Sequence, residues 1–282
     1  MTSQRIEVPT GIYDIAEAIA PSWERRRAEI EDLARPVRQW LLRALAPAEG
    51  DTVLELAAGV GDTGFEAAAA VGESGRLICS DFSPGMLDAA RRRGAERGVA
   101  NVEYRLLDAE RIELDSASVD QALCRFAYML VPDVAAAFAE ARRVLRPGGR
   151  LALAVWADPE RNPHMTIAGL SLAQRGHIPA PEPPPAPGIF SLANPPRLAA
   201  LLHDAGFADV RTEEVPVRYE MADADEYLAF VADTAGPFGL ALQGLSDDQR
   251  AEVRADVEDS LGRFAAGDHY ELSGVALCAV AS

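Results

Sequence analysis

Three glycines, Gly59, Gly61 and Gly64, close the run VLELAAGVGDTG (53–64), and a carboxylate, Glu55, stands four residues ahead of the first. G-x-G-x-x-G after an apolar run predicts a tight turn from a strand into a helix, because only glycine lets the backbone approach a ligand so closely. Such a turn ordinarily takes a pyrophosphate, drawn to the free N–H groups and dipole of the helix start. Here that place carries Asp62, and Glu55 sits near the end of the strand. Two carboxylates repel a diphosphate, so a ligand with positive centres is expected instead.

S-adenosylmethionine (SAM) has that pattern: an ammonium and a carboxylate on one arm, a sulfonium, a ribose diol and no phosphate. Glu55 is expected to hold the ammonium, directly or through water, while glycine-loop N–H groups meet the carboxylate. Asp81 ends the next apolar run, 22 residues after Gly59, where an acidic side chain accepts from both ribose hydroxyls. That feature suits NAD equally. Asp108-Ala109 discriminates better, since a carboxylate there takes the adenine amine and alanine leaves room for the ring, with Phe82 and Met86 packing on it. For Asp62 and Asp108 the alternative is helix or turn capping.

The elements that must position these residues alternate in type. Strands are predicted at 52–58, 76–81, 101–108, 119–126 and 150–156, rich enough in Val, Ile, Leu and Cys to be covered on both faces. Ser83-Pro84 caps and opens a helix, Asp133 caps another, and Pro147-Gly148-Gly149 stops it. Two helices, 12–20 and 22–45, come before the first strand. After residue 157 the rhythm changes to a short helix, a segment IPAPEPPPAPG expected to cross a surface as a strap, and a helix ending at Gly206. A strand over 208–220, a polar helical insertion over 222–267 and a last strand complete the chain. The fold class is α/β: a doubly wound, mostly parallel seven-stranded sheet with an antiparallel last strand and a helical cap. The expected division is a cap over 1–50, a SAM-binding core over 51–157, a lid and strap over 158–193, and the rest of the core over 194–282.

Composition narrows the chemistry. All 27 basic residues are arginine, which excludes Schiff bases, pyridoxal phosphate, a phosphate-loop lysine and Tyr-Lys dehydrogenases. A net charge of -17 disfavours nucleic acid and favours a small-molecule substrate. Cys79, Cys124 and Cys278 lie far apart in apolar runs, so buried reduced thiols and no metal site are expected. Neither a secretory leader nor an apolar run of the ~18 residues that a membrane span needs is visible, and a cytoplasmic location is expected.

On VLELAAGVGDTG, LICSDFSPGML, VEYRLLDAERI, SVDQALCRFAYMLV and RRVLRPGGRLALAVW, in that order, residues 51–157 resemble the class I SAM-dependent methyltransferases, in particular the ubiquinone and menaquinone biosynthesis group and small-molecule methyltransferases of secondary metabolism. Ala58 stands where many of that family carry Cys or Gly. The resemblance implies SAM contacts for Glu55, Gly59, Gly61, Asp81, Phe82, Asp108 and Ala109, and for Arg125 and Phe126 after the fourth strand. With the residues of the loop itself, Ala57, Asp62 and Thr63, and with Met86, these form the expected cofactor set. For proton removal from an acceptor the candidates are His164, then Tyr13, Tyr128 and His269, with a loop histidine of no catalytic task as the alternative for His164. Aromatic residues at the strand ends, Phe126, Tyr128 and Trp156, are expected to line the pocket. The expected activity is methyl transfer to an oxygen or carbon of a small, cyclic or lipophilic acceptor; a nicotinamide-dependent oxidoreductase and a non-catalytic SAM-binding protein are the rivals.

Overall fold

Short apolar runs become the parallel half of one sheet: β1 (Thr52–Leu56), β2 (Arg76–Asp81), β3 (Val102–Leu106), β4 (Val119–Arg125) and β5 (Leu145–Trp156). They belong to a computed structural model that describes residues 12–179 and 187–282. β1 is buried along its whole length, as its unbroken apolar composition demands. Strand order is β3-β2-β1-β4-β5-β8-β6, where β6 is Val210–Met221 and β8 is His269–Ala281. β8 runs antiparallel to both β5 and β6, and the other main-sheet pairs are parallel. The seven-stranded sheet with its antiparallel last strand is therefore present, with a two-residue strand, β7 (Ala265–Ala266), added against β8.

β8 does not close the edge; it slots between β5 and β6. Its second half, VALCAVA, is almost wholly buried, whereas β6 alternates exposed and buried residues and contains Pro216. A strand with one wet face and a missing N–H belongs at an edge. The chain winds outward from β1 on one side through β2 and β3, and on the other through β4 and β5. In open α/β sheets such a reversal, here outside the carboxyl ends of β1 and β4, is where ligands bind.

Helices α3 (Asp62–Val71), α4 (Pro84–Glu96) and α5 (Val134–Val144) connect these strands. Ser83 Oγ accepts from Met86 N at 3.1 Å and Asp133 from Ala136 N at 3.0 Å, the caps that the sequence predicts. Ahead of β1 lie α1 (Ile12–Arg25) and α2 (Arg27–Leu45). The predicted break at Pro21 is displaced: α1 runs through it and breaks at Arg26, where the Arg26 and Asp233 side chains pair at 2.8 Å. Beyond β5 come α6 (Pro163–Gln174) and α7 (Pro195–Asp204), and the insertion forms α8 (Ala224–Thr234), α9 (Pro237–Gln243) and α10 (Asp247–Leu261). The proline-rich strap falls largely on 180–186, outside the described residues.

The outer helices are tied to one another across large sequence separations. Trp23 Nε1 donates to the Thr234 carbonyl at 3.2 Å, Arg92 of α4 pairs with Glu24 of α1 at 2.8 Å, and Arg175 pairs with Asp256 of α10 at 2.6 Å. Among the described residues, no helix is long and apolar enough to cross a membrane.

Candidate active site

Glu55 is the penultimate residue of β1 and is 2% exposed. Its Oε1 accepts from Gly64 N at 3.0 Å, while Oε2 is buried without a hydrogen-bond partner. Burial pushes its carboxyl well above the usual carboxylate range, and the nearby Arg125 charge and the Gly64 N–H offset this only in part. An unpartnered buried oxygen on an acid beneath a glycine turn suits a cationic group delivered from outside. Gly64 is the residue that makes room for it, since a Cβ there would sit 2.1 Å from Glu55 Oε2 and 3.0 Å from Leu77 Cδ2. Gly64→Ala is accordingly expected to lower stability by about 1–3 kcal/mol, the usual range for overpacking, and to displace Glu55. Urea unfolding and cofactor titration of the variant measure both effects.

The turn itself carries backbone strain. Ala57 (φ 51°) and Phe126 (φ 60°) adopt left-handed conformations at the ends of the adjacent strands β1 and β4. Gly59 (φ 55°) and Gly61 (φ 85°) share that region for different reasons. A Cβ on Gly61 would strike the Phe65 ring at 2.7 Å, whereas one on Gly59 would meet nothing within 4 Å. Gly61 serves packing; Gly59 faces open space, the side from which a ligand would approach. Asp81 clamps this turn: its Oδ2 accepts from Gly59 N and its Oδ1 from Ser83 N, both at 2.9 Å. Desolvation raises its carboxyl above the ordinary value, with those N–H groups opposing. The Phe82 backbone N–H also interacts with this carboxylate, which still has acceptor capacity for a ribose hydroxyl.

Asp62 departs from the sequence reading. It heads α3 but is engaged by arginines, Arg97 at 3.1 Å, Arg93 at 3.2 Å and Arg27 at 3.8 Å, so its charge is compensated within the protein. The acids of the cradle are instead Glu55, Asp81 and the half-buried Asp108, whose Oδ1 accepts from Glu110 N at 2.9 Å. Beside Asp62, Thr63 is buried and its hydroxyl has no hydrogen-bond partner. Met86 is buried, and Phe82 and Ala109 are half-buried. Arg125 projects from the end of β4 and pairs with Glu31 of α2 at 2.5 Å. Neither Glu31 nor Glu17 is legible as a site residue; Glu17 of α1 accepts from Ser83 Oγ and, at 3.0 Å, from Gly85 N at the start of α4.

A continuous run of rings crosses the carboxyl end of the sheet. Phe126 stacks on Trp156 (4.1 Å between centroids, 8° between planes), and Trp156 meets His164 edge-on at 5.1 Å. His164 stacks on Tyr219 at 3.8 Å, and Phe230 of α8 meets Tyr219 at 6.2 Å. The sequence pointed to Phe126, Trp156 and His164; Tyr219 and Phe230 join them only through the β6–β8 register and the return of the insertion. Tyr227 of α8 braces the set, donating to the His164 carbonyl at 3.0 Å and accepting from Ala168 N at 3.2 Å.

His164 is placed as expected but poorly suited to remove a proton. Neither ring nitrogen has a hydrogen-bond partner of standard geometry, and burial pushes the imidazole down to about 3, a weak backbone interaction at Ser273 opposing only in part. It is a neutral, stacked ring at neutral pH. The unfolded imidazole takes up its proton near 6.5 and the folded one only near 3, so this group's contribution to stability is full above 6.5 and is lost as pH falls. Urea midpoints at pH 7 and pH 5 are expected to show a smaller acid loss in His164→Phe than in the parent chain.

The other proton acceptors are corrected or moved. Tyr128 is a core residue: 1% exposed, tilted against Phe138 at 4.6 Å, with its hydroxyl sealed and its acidity suppressed by burial. Tyr13 lies in α1, but its side chain is outside the described residues. His269 begins β8 between Asp268 and Glu271 at 3.3 and 3.4 Å; its contact with the Asp268 carboxylate, foremost, raises its affinity for a proton.

Comparison with known proteins adds to this geometry. A methyltransferase-domain family profile matches residues 53–149. The chain is 30% identical over 245 residues to nocamycin O-methyltransferase of Saccharothrix syringae, covering 83% of this chain and 85% of that one. It is 37% identical over 117 residues to a demethylmenaquinone methyltransferase of Clavibacter sepedonicus, covering 42% and 46%. The fold is shared with a SAM-dependent methyltransferase of Aquifex aeolicus (TM-score 0.54, 23% identity, 69% and 92% covered). The chain spans about a third of the length of the first curated relatives it matches, 35% and 29%. The glycine turn over a buried acid, the acidic ends of β1 and β2 and the likeness over more than four fifths of both chains converge: the chain belongs to the class I SAM-dependent methyltransferase family.

Proposed function

We propose that this protein transfers the methyl group of SAM to an oxygen or carbon of a small, planar, ring-bearing acceptor. The observation that carries the reading is the aromatic run from Phe126 to Phe230, which lies at the same sheet edge as the cradle. SAM, when bound, supplies an electrophilic methyl group on a cationic sulfur. Glu55 takes the ammonium, Asp81 the ribose hydroxyls, and Asp108 the adenine amine, with Ala109 leaving room and Phe82 and Met86 packing on the ring. Arg125, held by Glu31, Phe126, Ala57, Gly59, Gly61 and Thr63 complete the wall, while Asp62 fixes α3 to α2 and α4.

In-line displacement needs alignment at near-contact distance and exclusion of water. Phe126 and Phe230, the half-buried members of the ring run, align a flat acceptor with buried Trp156, His164 and Tyr219 packed between them, and the helices α1, α6 and α8–α10 act as the cap that keeps water out. The ring run contains no strong base, because His164 stays neutral. That favours acceptors that ionise near neutral pH by themselves, such as acidic phenols and enols. Incubation of the purified chain with methyl-labelled SAM and a panel of phenols, enols and aliphatic alcohols tests this. Label is expected on the flat acidic acceptors and in none of the alcohols; bound SAM with no labelled product anywhere would instead indicate a non-catalytic SAM-binding protein.

A further inference from the structure

Most arginines of this acidic chain have found carboxylates, but Arg43, Arg76, Arg150 and Arg211 stand apart. Among the described residues, their side chains make no hydrogen bond, ion pair or ring contact. Three of these four, Arg43, Arg150 and Arg211, line one groove of about 610 Å³, where Trp40 forms an apolar wall and Glu213 is the lone carboxylate. Chance would not gather unpaired cations so selectively in a molecule of net charge -17.

The elements explain how the three meet. Arg43 and Trp40 come from the last turns of α2, which packs over the sheet. Arg150 immediately precedes Leu151, which pairs with Ala281 of β8, and Arg211 pairs with Val280 on the other side of β8. The two arginines thus flank β8 where β5 and β6 begin their pairing with it. This is the end of the sheet opposite the glycine turn, since β5 and β6 both run toward the edge that bears Trp156 and Tyr219. A smaller hollow of about 300 Å³ extends from Arg150 and Arg211 toward Asp209.

Guanidinium groups present planar forks of N–H donors that match carboxylate and phosphate oxygens, and like charges left together without a counterion repel one another. We infer that this groove binds a small multivalent oxyanion, a phosphate or a polycarboxylate, at a site separate from the methyl-transfer cradle. A large polyanion is a poor occupant, because the acidic remainder of the surface repels it.

Titration calorimetry of the full chain with inorganic pyrophosphate in one arm and citrate in the other tests the assignment and distinguishes the two ligand types. Saturable binding of at least one is expected. It should weaken tenfold or more in R150Q/R211Q, less in R43Q, and with rising salt in the parent chain, while R76Q, which changes the unpaired arginine outside the groove, should leave it unaltered. Circular dichroism and S-adenosylhomocysteine binding check that each variant is folded. The inference is overturned if neither anion binds, if binding survives in R150Q/R211Q, or if R76Q weakens it equally. A dimer that R150Q/R211Q converts to monomer would also overturn it, by making a second copy of the chain the occupant.

Discussion

Asp81→Ala is expected to lower affinity for S-adenosylhomocysteine by about 100-fold or more, because a buried carboxylate that should accept both ribose hydroxyls is lost at ~1.5–3 kcal/mol per charged hydrogen bond. The same change strands Gly59 N and Ser83 N, which now donate to that carboxylate at 2.9 Å, so the turn loosens as well. Stability should fall by about 1–3 kcal/mol for these unmet donors. Asp81→Asn retains one acceptor and should fall between the two. Titration calorimetry with the three proteins orders them; equal affinities would remove Asp81 from the ribose site.

The second large effect has opposite signs in two measurements. In Glu55 the folded carboxyl holds its proton more tightly than the unfolded one, whose ordinary value is 4.5. Its contribution to stability is therefore fully present below pH 4.5 and is lost as pH rises through the folded value. Glu55→Gln escapes that loss, so the free variant at pH 8 should melt higher than the parent, by about 2–4 °C if ~1 kcal/mol is regained. The ligand reverses the order. An amide cannot attract the ammonium of SAM, and affinity should fall by about 10- to 100-fold, the value of one charge-assisted bond. In saturating S-adenosylhomocysteine the parent chain should then melt higher than Glu55→Gln. A variant that melts lower in both states would mean that Glu55 is a structural acid with no ligand of its own.

Both results depend on a cradle whose outline is legible in twelve residues. Glycine spacing after an apolar run marks a strand-to-helix turn because so few residues tolerate positive φ, and Gly59 and Gly61 adopt it. β1 and β2 are legible because burial on both faces leaves them mostly apolar, whereas β3, VEYRL, is half-buried to exposed and follows from its place in the alternation; the caps at Ser83 and Asp133 are legible because few side chains satisfy helix-start N–H groups. What sequence spacing could not carry is partner choice over long separations. Asp62 reads as a free carboxylate at a helix start, yet Arg93 and Arg97 lie one helix further along the chain and Arg27 lies before β1. Glu31 and Arg125 are 94 positions apart, and no periodicity links them.

The aromatic run shows the same division. Phe126 and Trp156 end neighbouring parallel strands, so their stacking follows from strand order. Tyr219 enters only because β8 inserts between β5 and β6, which brings Gly274 opposite Val217 and leaves His164 against both. Tyr128 misled for a related reason: two residues after Phe126, it turns into the sheet–helix core and meets Phe138. Pro21, a sound helix-breaking signal, is overridden by tertiary contacts of α1 with α4 and α8.

The central claim is that the buried acid of β1, Glu55, selects a cofactor with an ammonium arm and no phosphate over a diphosphate one. Parallel calorimetric titrations of the unmodified chain with S-adenosylhomocysteine and with NADH test it most directly. One saturable site for S-adenosylhomocysteine and no heat of binding for NADH is the predicted outcome. Saturable NADH binding with none for S-adenosylhomocysteine would contradict it.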